Sequence, residues 1–353
     1  MHPYHPYMQK AISSRVSGKD SVTRYGSSVL FAPIIFFSLF WFGCHNDTPD
    51  GPGRPTAGPI LFISDKSGTY QLFSMNDDGT DIQQLTDDAA FPLQDAKYSP
   101  DGIRVVVASS AGGDDFYGPA LYVMNLDGSS RTRITRAQNE HPEYGSGCRP
   151  TWARIGERIA FSRLMAPEVL GNYDLFVVNS DGSNEIEITY TADTTEYLGD
   201  WTSDGLGIVC AIWTLGGGSS LQYSRLALYD LIGTIKTTWF EPGHSSSSPI
   251  TSPSGQEIAF TSSDGGGTQD IFVVRSDTTG ARWKISDGKN VYTVPICWSP
   301  DGKQVMYNAG GNDPYGRPFG KILLVNVQSK EVTDITPFKG TSAYSYATCR
   351  SRK

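Results

Sequence analysis

Tyr98-Ser-Pro-Asp-Gly102 returns along the chain as Trp152-Ala-Arg-Ile-Gly156, Trp201-Thr-Ser-Asp-Gly205, Thr251-Ser-Pro-Ser-Gly255 and Trp298-Ser-Pro-Asp-Gly302. The intervals are 54, 49, 50 and 47 residues. A second marker follows each first one. It is clear in Leu121-Tyr-Val-Met-Asn-Leu-Asp-Gly128 and Leu175-Phe-Val-Val-Asn-Ser-Asp-Gly182, and weaker in Ile271-Phe-Val-Val274 and Ile322-Leu-Leu-Val-Asn326. A third marker closes each unit, at Leu85-Thr86, Ile134-Thr135, Ile188-Thr189, Ile285-Ser286 and Ile335-Thr336. Three markers in fixed order make a repeat of about 50 residues, the signature of stacked supersecondary units.

Each unit reads as four strands. In the second, these are Ala96 to Tyr98, Arg104 to Ser109, Ala120 to Asn125 and Arg131 to Thr135. The breaks are Ser-Pro-Asp-Gly, a Gly-rich loop and Asp-Gly, in which proline presets φ while Gly and Asp accept positive φ. No stretch after residue 58 sustains a 3.6-residue apolar period, so the body is predicted all-β. Composition agrees, because 38 glycines in 353 residues is roughly 11%, against an average of about 7%.

Four-stranded units at this spacing predict a β-propeller of four-stranded antiparallel blades. Residues 59–353 hold six such lengths, yet only five first markers are present. The odd unit begins directly at Ile60 to Asp65, continues with Gln71 to Asn76 and ends its outer strand at Leu85-Thr86. Its missing inner strand is expected from Ala343 to Cys349, so the C-terminal strand pairs into the first blade and closes a six-bladed ring without a free edge.

The phrases YSPDG, WSPDG and LYVMNLDGSSRTRIT resemble the WD40-like (PD40) repeats of TolB-type propellers, over Pro59 to Thr348. The resemblance is weaker in blade four, where Leu231-Ile-Gly233 replaces Asp-Gly, and in blade five, where Thr251 replaces the aromatic. Kelch repeats share the length and a Gly-Gly after the second strand, as at Gly112-Gly113 and Gly310-Gly311, but usually lack Ser-Pro-Asp-Gly. Either resemblance implies a propeller. The TolB resemblance also implies a periplasmic partner of envelope proteins, although TolB carries an α/β domain ahead of its propeller where this chain has a tether.

The first 44 residues read as an address. Lys10, Arg15, Lys19 and Arg24 precede a charge-free run from Tyr25, whose apolar part, Val29 to Phe42, ends at Gly43-Cys44. A basic region, about 14 apolar residues and a small residue before cysteine suit an export signal with lipidation at Cys44. The match to a lipobox is partial, since Trp41 and Phe42 stand where Leu and a small residue are usual. An uncleaved membrane anchor and ordinary cleavage are the alternatives, and all three place the body outside the cytoplasm, in the periplasm or at the cell surface. Residues 45–58, rich in Pro, Gly and Asp, are predicted to be a flexible tether. Domains are therefore expected at 1–44, 45–58 and 59–353. Net charge is −8. The leader holds four cations and one acid, so the remainder is more negative still and unsuited to a phosphate backbone; no nucleic-acid partner is expected.

No catalytic constellation stands out. His2, His5 and His45 lie in the leader or tether, leaving His141 and His244, and neither H-E-x-x-H, G-x-S-x-G nor C-x-x-C occurs. No metal site and no cofactor are expected. The marker aromatics read as packing between blades, and the Asp-Gly pairs as turns, because Asp77-Asp-Gly-Thr-Asp81 lacks EF-hand spacing. Cys210, within Ile208-Val-Cys-Ala-Ile212, reads as a buried thiol. Cys297 and Cys349 could fall on neighbouring inner strands, where export would permit oxidation.

Partner binding is expected where second-to-third-strand loops and blade-to-blade linkers gather at one mouth. Blades two and six offer Asp115 with Tyr117, and Asp313 with Tyr315 and Arg317. Linkers add His141, Glu143 and Tyr144 from Arg136 to Gly147, and Glu196 with Tyr197 from Thr191 to Gly199. Aromatics beside hydrogen-bonding groups suit peptide or sugar recognition. The expected function is an envelope-anchored scaffold for a protein or peptide, touching membrane only through its N-terminal anchor. A carbohydrate-binding component and a cryptic hydrolase or lyase are the alternatives.

Overall fold

The computed structural model describes residues 58–114, 118–135, 147–166, 172–214, 224–239, 244–263, 268–277, 281–288, 292–312, 318–337 and 344–349. They form strands and turns, with no helix among them. Blade one contains β1 (Ile60–Ser64), β2 (Gln71–Met75) and β3 (Gln83–Gln84). Blade two follows with β4 (Leu93–Tyr98), β5 (Arg104–Asp114), β6 (Gly118–Asn125) and β7 (Thr132–Arg133), and blade three with β8 (Gly147–Trp152), β9 (Arg158–Ala166), β10 (Asn172–Asn179) and β11 (Ile186–Glu187). Blade four is β12 (Thr194–Trp201), β13 (Gly207–Thr214), β14 (Arg225–Asp230) and β15 (Ile235–Trp239); blade five is β16 (Ser245–Thr251), β17 (Glu257–Ser263), β18 (Gln269–Arg275) and β19 (Arg282–Lys284). Blade six is β20 (Tyr292–Trp298), β21 (Gln304–Asn312), β22 (Pro318–Asn326) and β23 (Val332–Asp334), after which β24 (Tyr344–Cys349) returns to blade one.

The sheet order β24-β1-β2-β3 gives the first blade its inner strand from the other end of the chain, with Ile60 paired to Cys349 and Ser64 to Tyr344. The protein is a six-bladed propeller of four-stranded antiparallel blades. Its apolar core is divided into six clusters, each drawn from two neighbouring blades. One joins Ile60, Phe62 and Phe73 of blade one to Ile296, Met306 and Ile322 of blade six. A blade therefore has no core of its own, and stability requires the full circle.

The markers acquire separate tasks. In Ser299-Pro-Asp-Gly302 the Ser299 hydroxyl donates to Asp301 Oδ1 at 2.6 Å and accepts the Gln304 N–H at 2.9 Å, while Lys303 N–H reaches Asp301 Oδ1 at 3.0 Å. These donors hold the Asp301 carboxyl below the usual carboxylate range. The hydroxyl of the third marker caps the third strand, accepting the N–H of Leu72 on Thr86, of Leu175 on Thr189 and of Ile271 on Ser286, each at 2.9 Å. The second-marker turn packs on the preceding blade: a Cβ at Gly233, where φ is +80°, would lie 2.3 Å from the Ile188 carbonyl oxygen.

The marker aromatics lie between blades, as expected. Trp201 is fully buried among Ala153, Ala160 and Leu175 of blade three and Ile208 of its own blade, and its Nε1 donates to the Thr151 carbonyl at 3.1 Å. Trp298 Nε1 likewise reaches the Ile250 carbonyl at 3.2 Å. Burying such a side chain, 150–250 Å², contributes about 4–6 kcal/mol at 25 cal/mol per Å².

Several boundaries differ from expectation. The second strand of blade two runs to Asp114 rather than Ser109, because β5 and β6 continue as a hairpin to the pair Asp114–Gly118. The outer strands are shorter than read: Leu85 and Thr86 lie beyond β3, their amides turned back to the Leu72 carbonyl. The predicted linker Thr191 to Gly199 is largely strand, since Thr194–Trp201 forms β12. Its β-branched and aromatic residues suit a pleated surface.

Candidate functional site

In blades two to six the inner strand ends at the first-marker turn, so these turns gather at one end of the ring and the second-to-third-strand hairpins and blade linkers at the other. Asp115, Tyr117, His141, Glu143, Tyr144, Asp313, Tyr315 and Arg317 lie outside the described residues, as does Cys44. Their flanking strands are described. The hairpins of blades two and six reach the pairs Asp114–Gly118 and Asn312–Pro318, on either side of blade one.

Glu196 and Tyr197 are described, and Glu196 needs correction as a surface contact. It is 0% exposed, because residue 196 falls on the blade-three side of β12. Thr194 Oγ1 donates to its Oε1 at 2.6 Å and Thr191 Oγ1 to its Oε2 at 2.9 Å. The equally buried Asp174 accepts the hydroxyls of Thr189 and Thr191, both at 3.1 Å. Burial pushes both carboxyls up, Glu196 to about 7, with the Asp174 charge adding to the shift. The two carboxyls, closed off from solvent under three threonines, join blade three to blade four. Tyr197 is half-buried, its ring 5.1 Å from Tyr173.

The described part of the loop end exposes other aromatics that the sequence reading passed over: Tyr70 in blade one, Tyr190 after the third marker of blade three, and Tyr292 at the start of β20. Tyr190 is 87% exposed. Its position directly after Ile188-Thr189, where the chain leaves the outer strand, was the available signal.

Along the axis all six inner strands carry a bulge, at Gln94, Arg149-Pro150, Gly199, Ser248-Pro249, Ile296 and Tyr346. A bulge re-aims the side chains beside it. Here the channel narrows to a cavity of about 60 Å³ among Asp95, Lys97, Arg149, Ser248 and Asn308. Arg149 Nη1 donates to Ser248 Oγ at 3.2 Å. Burial raises the Asp95 carboxyl, while Lys97 and Arg149 pull it back down. Gly199 is fixed by close approach, since a Cβ there would lie 2.4 Å from the Pro249 ring. Toward the turn end the channel widens to about 310 Å³ between Trp152, Trp298 and Tyr98, with Arg154 3.6 Å from Asp200 and donating to the carbonyls of Thr251 and Ser252. Cys297 and Cys349 form a disulfide on its wall. No group of three or more His, Cys, Asp or Glu able to hold a metal gathers among the described residues.

No protein-family model matches the chain. The TolB homologue of Chlorobium chlorochromatii is 29% identical over 131 residues, 37% of this chain and 26% of that protein. The matched stretch thus spans about a quarter of that relative's length. Among solved structures, TolB from Acinetobacter baumannii aligns with a TM-score of 0.61 at 17% identity, over 82% of this chain and 66% of that one. The chain resembles the TolB propellers in fold. Its fold is also that of the oligogalacturonate lyase from Vibrio parahaemolyticus, with a TM-score of 0.52 at 13% identity over 78% of this chain and 73% of that one. Likeness at these identities shows the shared architecture alone. In this propeller the loop end offers the exposed rings Tyr70, Tyr190 and Tyr292, whereas the axis is lined by residues of both charges.

Proposed function

We propose that the chain is an exported, envelope-anchored scaffold that binds a protein or peptide at the loop end of its propeller. The observation that carries this reading is the set of exposed rings there, Tyr70, Tyr190 and Tyr292, presented by three separate parts of a rigid ring. Tyrosine supplies contact area and a hydroxyl at little entropic cost, which suits it to protein interfaces. The similarity to TolB supports a protein partner in the envelope. Asp115, Tyr117, His141, Glu143, Tyr144, Asp313, Tyr315 and Arg317 belong to the same proposed surface by their place in the chain.

Cross-linking and affinity capture of the full chain from envelope extract test it, with Tyr70→Ala/Tyr190→Ala/Tyr292→Ala and Asp115→Ala/Asp313→Ala beside the native chain. A defined protein retained by the native chain and lost by the tyrosine variant is expected. Unchanged capture by both variants would remove this surface from the reading. A glycan-array signal abolished by the same substitutions, with no captured protein, would replace the peptide with a sugar, since rings also stack on pyranose faces.

A further inference from the structure

The wide, turn-end part of the axial channel has a chemistry of its own. It is lined by the residue just before the first marker of blades two to six, which is Lys97, Thr151, Asp200, Ile250 and Cys297 in turn. Two of its charged side chains are spent on the fold. Arg154 crosses from blade three to blade five, where it donates to the carbonyls of Ser252 at 2.8 Å and of Thr251, with Asp200 of blade four 3.6 Å away. Asp200 in turn accepts the N–H groups of Trp201 at 2.8 Å and Thr251 at 3.1 Å. Lys97 is different. It is half-buried, lines both the wide and the narrow parts of the channel, and makes no hydrogen bond or ion pair among the described residues. Its charge acts on Asp95, two residues back on the same face of β4, whose carboxyl is held toward the neutral form by burial.

The balance of charge sets the sign of a partner for that ammonium. Along the axis Lys97, Arg149 and Arg154 face Asp95 and Asp200, three cations against two acids, in a protein of net charge −8. The turn acids near the rim, Asp101 and Asp301, are directed into their own loops, where they accept the hydroxyls of Ser99 at 2.5 Å and Ser299 at 2.6 Å. A cleft with low-dielectric walls focuses such an excess. One surplus positive charge balances one negative charge. The unmet groups of the lining residues are donors as well: Trp152 Nε1 and Thr251 Oγ1, on side chains 5% and 3% exposed, have no partner among the described residues, whereas the equivalent indoles of Trp201 and Trp298 do. Buried polar groups in native proteins are nearly always satisfied. The rest of the wall is apolar, with Ile250, Ile296 and Trp298 inside and the turn prolines Pro100, Pro253 and Pro300 around the mouth. A volume of about 310 Å³ stands at the small end of ligand pockets.

We propose that this cavity binds a small organic monocarboxylate, with its carboxylate on the Lys97 ammonium and its apolar body against Ile250, Trp298 and the rim prolines. The site lies at the opposite end of the ring from the tyrosine surface and does not depend on it. A phosphomonoester fits less well, because its second charge meets Asp200. A neutral sugar leaves Lys97 unpaired.

Isothermal titration calorimetry of the full chain with octanoate, 3-phenylpropanoate and indole-3-propanoate, each beside its primary amide, tests the site. At least one acid is expected to bind with a Kd of about 1 mM or tighter, the scale set by about a dozen heavy atoms. Its amide should bind at least about tenfold more weakly, since a hydrogen bond to a charged group is lost. Lys97→Met should weaken the acid by the same factor and Lys97→Arg should retain it, which separates a lost contact from a damaged fold. Tyr190→Ala, at the loop end, should leave binding unchanged. No acid bound on that scale, equal binding of acid and amide, or native affinity in Lys97→Met would each refute the site. Loss of binding in Tyr190→Ala would move the acid to the loop end and refute it too, and phenyl phosphate bound more tightly than every acid would overturn the monocarboxylate.

Discussion

Cys297, on the inner strand of blade six, is covalently joined to Cys349, on the closing strand of blade one, with their Cα atoms 5.9 Å apart. The bond spans 52 residues of sequence and joins blade six to the strand that closes blade one. Chain-entropy arithmetic for a loop of that size gives about 4 kcal/mol. Reduction, or Cys297→Ser/Cys349→Ser, should lower the denaturant midpoint accordingly. An unchanged midpoint would mean that the bridge contributes nothing to closure.

Deletion from Ser342 onward removes β24 and with it the inner edge of blade one. Phe62 and Ile63 then lose their partner strand, and the exposed edge invites pairing between molecules. Light scattering should show self-association and the melting temperature should fall. A truncated chain as monodisperse and as stable as the parent would refute closure by this strand.

Trp201 and Trp152 occupy equivalent places, but only Trp201 Nε1 donates to a neighbour; Trp152 Nε1 is buried without a partner among the described residues. Trp201→Phe leaves the Thr151 carbonyl unsatisfied and should cost about 1–3 kcal/mol beyond the lost volume. Trp152→Phe should cost less. Equal losses in chemical denaturation would show that the indole hydrogen bond contributes no stability.

Glu196 titrates near 7 in the folded protein, above its ordinary value, because burial and Asp174 disfavour its charge. The groups that interact with it are Asp174, Tyr229 and Cys210, while Glu187 faces Asp174 and Arg163, and Arg225 faces Tyr229. The unfolded chain releases the proton near pH 4.5 while the folded chain retains it to about pH 7. Stability should therefore fall across that interval as pH rises, by roughly 3 kcal/mol, and level off above it. Glu196→Gln should flatten the profile. A native profile that rises between pH 5 and 7 would contradict the buried acid.

Arg163 and Glu185 form a bidentate pair at 2.8 and 2.7 Å, with side chains only 6% and 7% exposed, and the guanidinium lies 4.3 Å from the Phe176 ring centre. Glu185→Ala strands a buried cation and should cost about 3–5 kcal/mol. Asp277→Ala, which breaks the half-exposed pair with Arg275, should change stability by no more than about 1 kcal/mol. Calorimetry on both variants makes the comparison.

Blade number, strand order and ring closure were legible because they depend on local chemistry repeated at a fixed interval: turns that need Pro, Asp and Gly, and a first unit one strand short. Tyr98 and Trp298 could be read as wedges between blades for the same reason. Glu196 could not be read as buried, because its environment comes from Asp174 and Tyr229, 22 and 33 residues away on other strands. Nor does any spacing announce Tyr70, Tyr190 and Tyr292 as one surface, since each belongs to a different part of the repeat.

By itself, then, the amino-acid order determined a closed ring of six four-stranded blades, because hydrogen-bonding turns and period-two strands are decided within a few residues. Only tertiary structure decided which side chains share an end of that ring. The tyrosines of the loop end and the carboxyl pair between blades three and four are brought together by curvature around the axis, a distance relation that linear sequence does not encode.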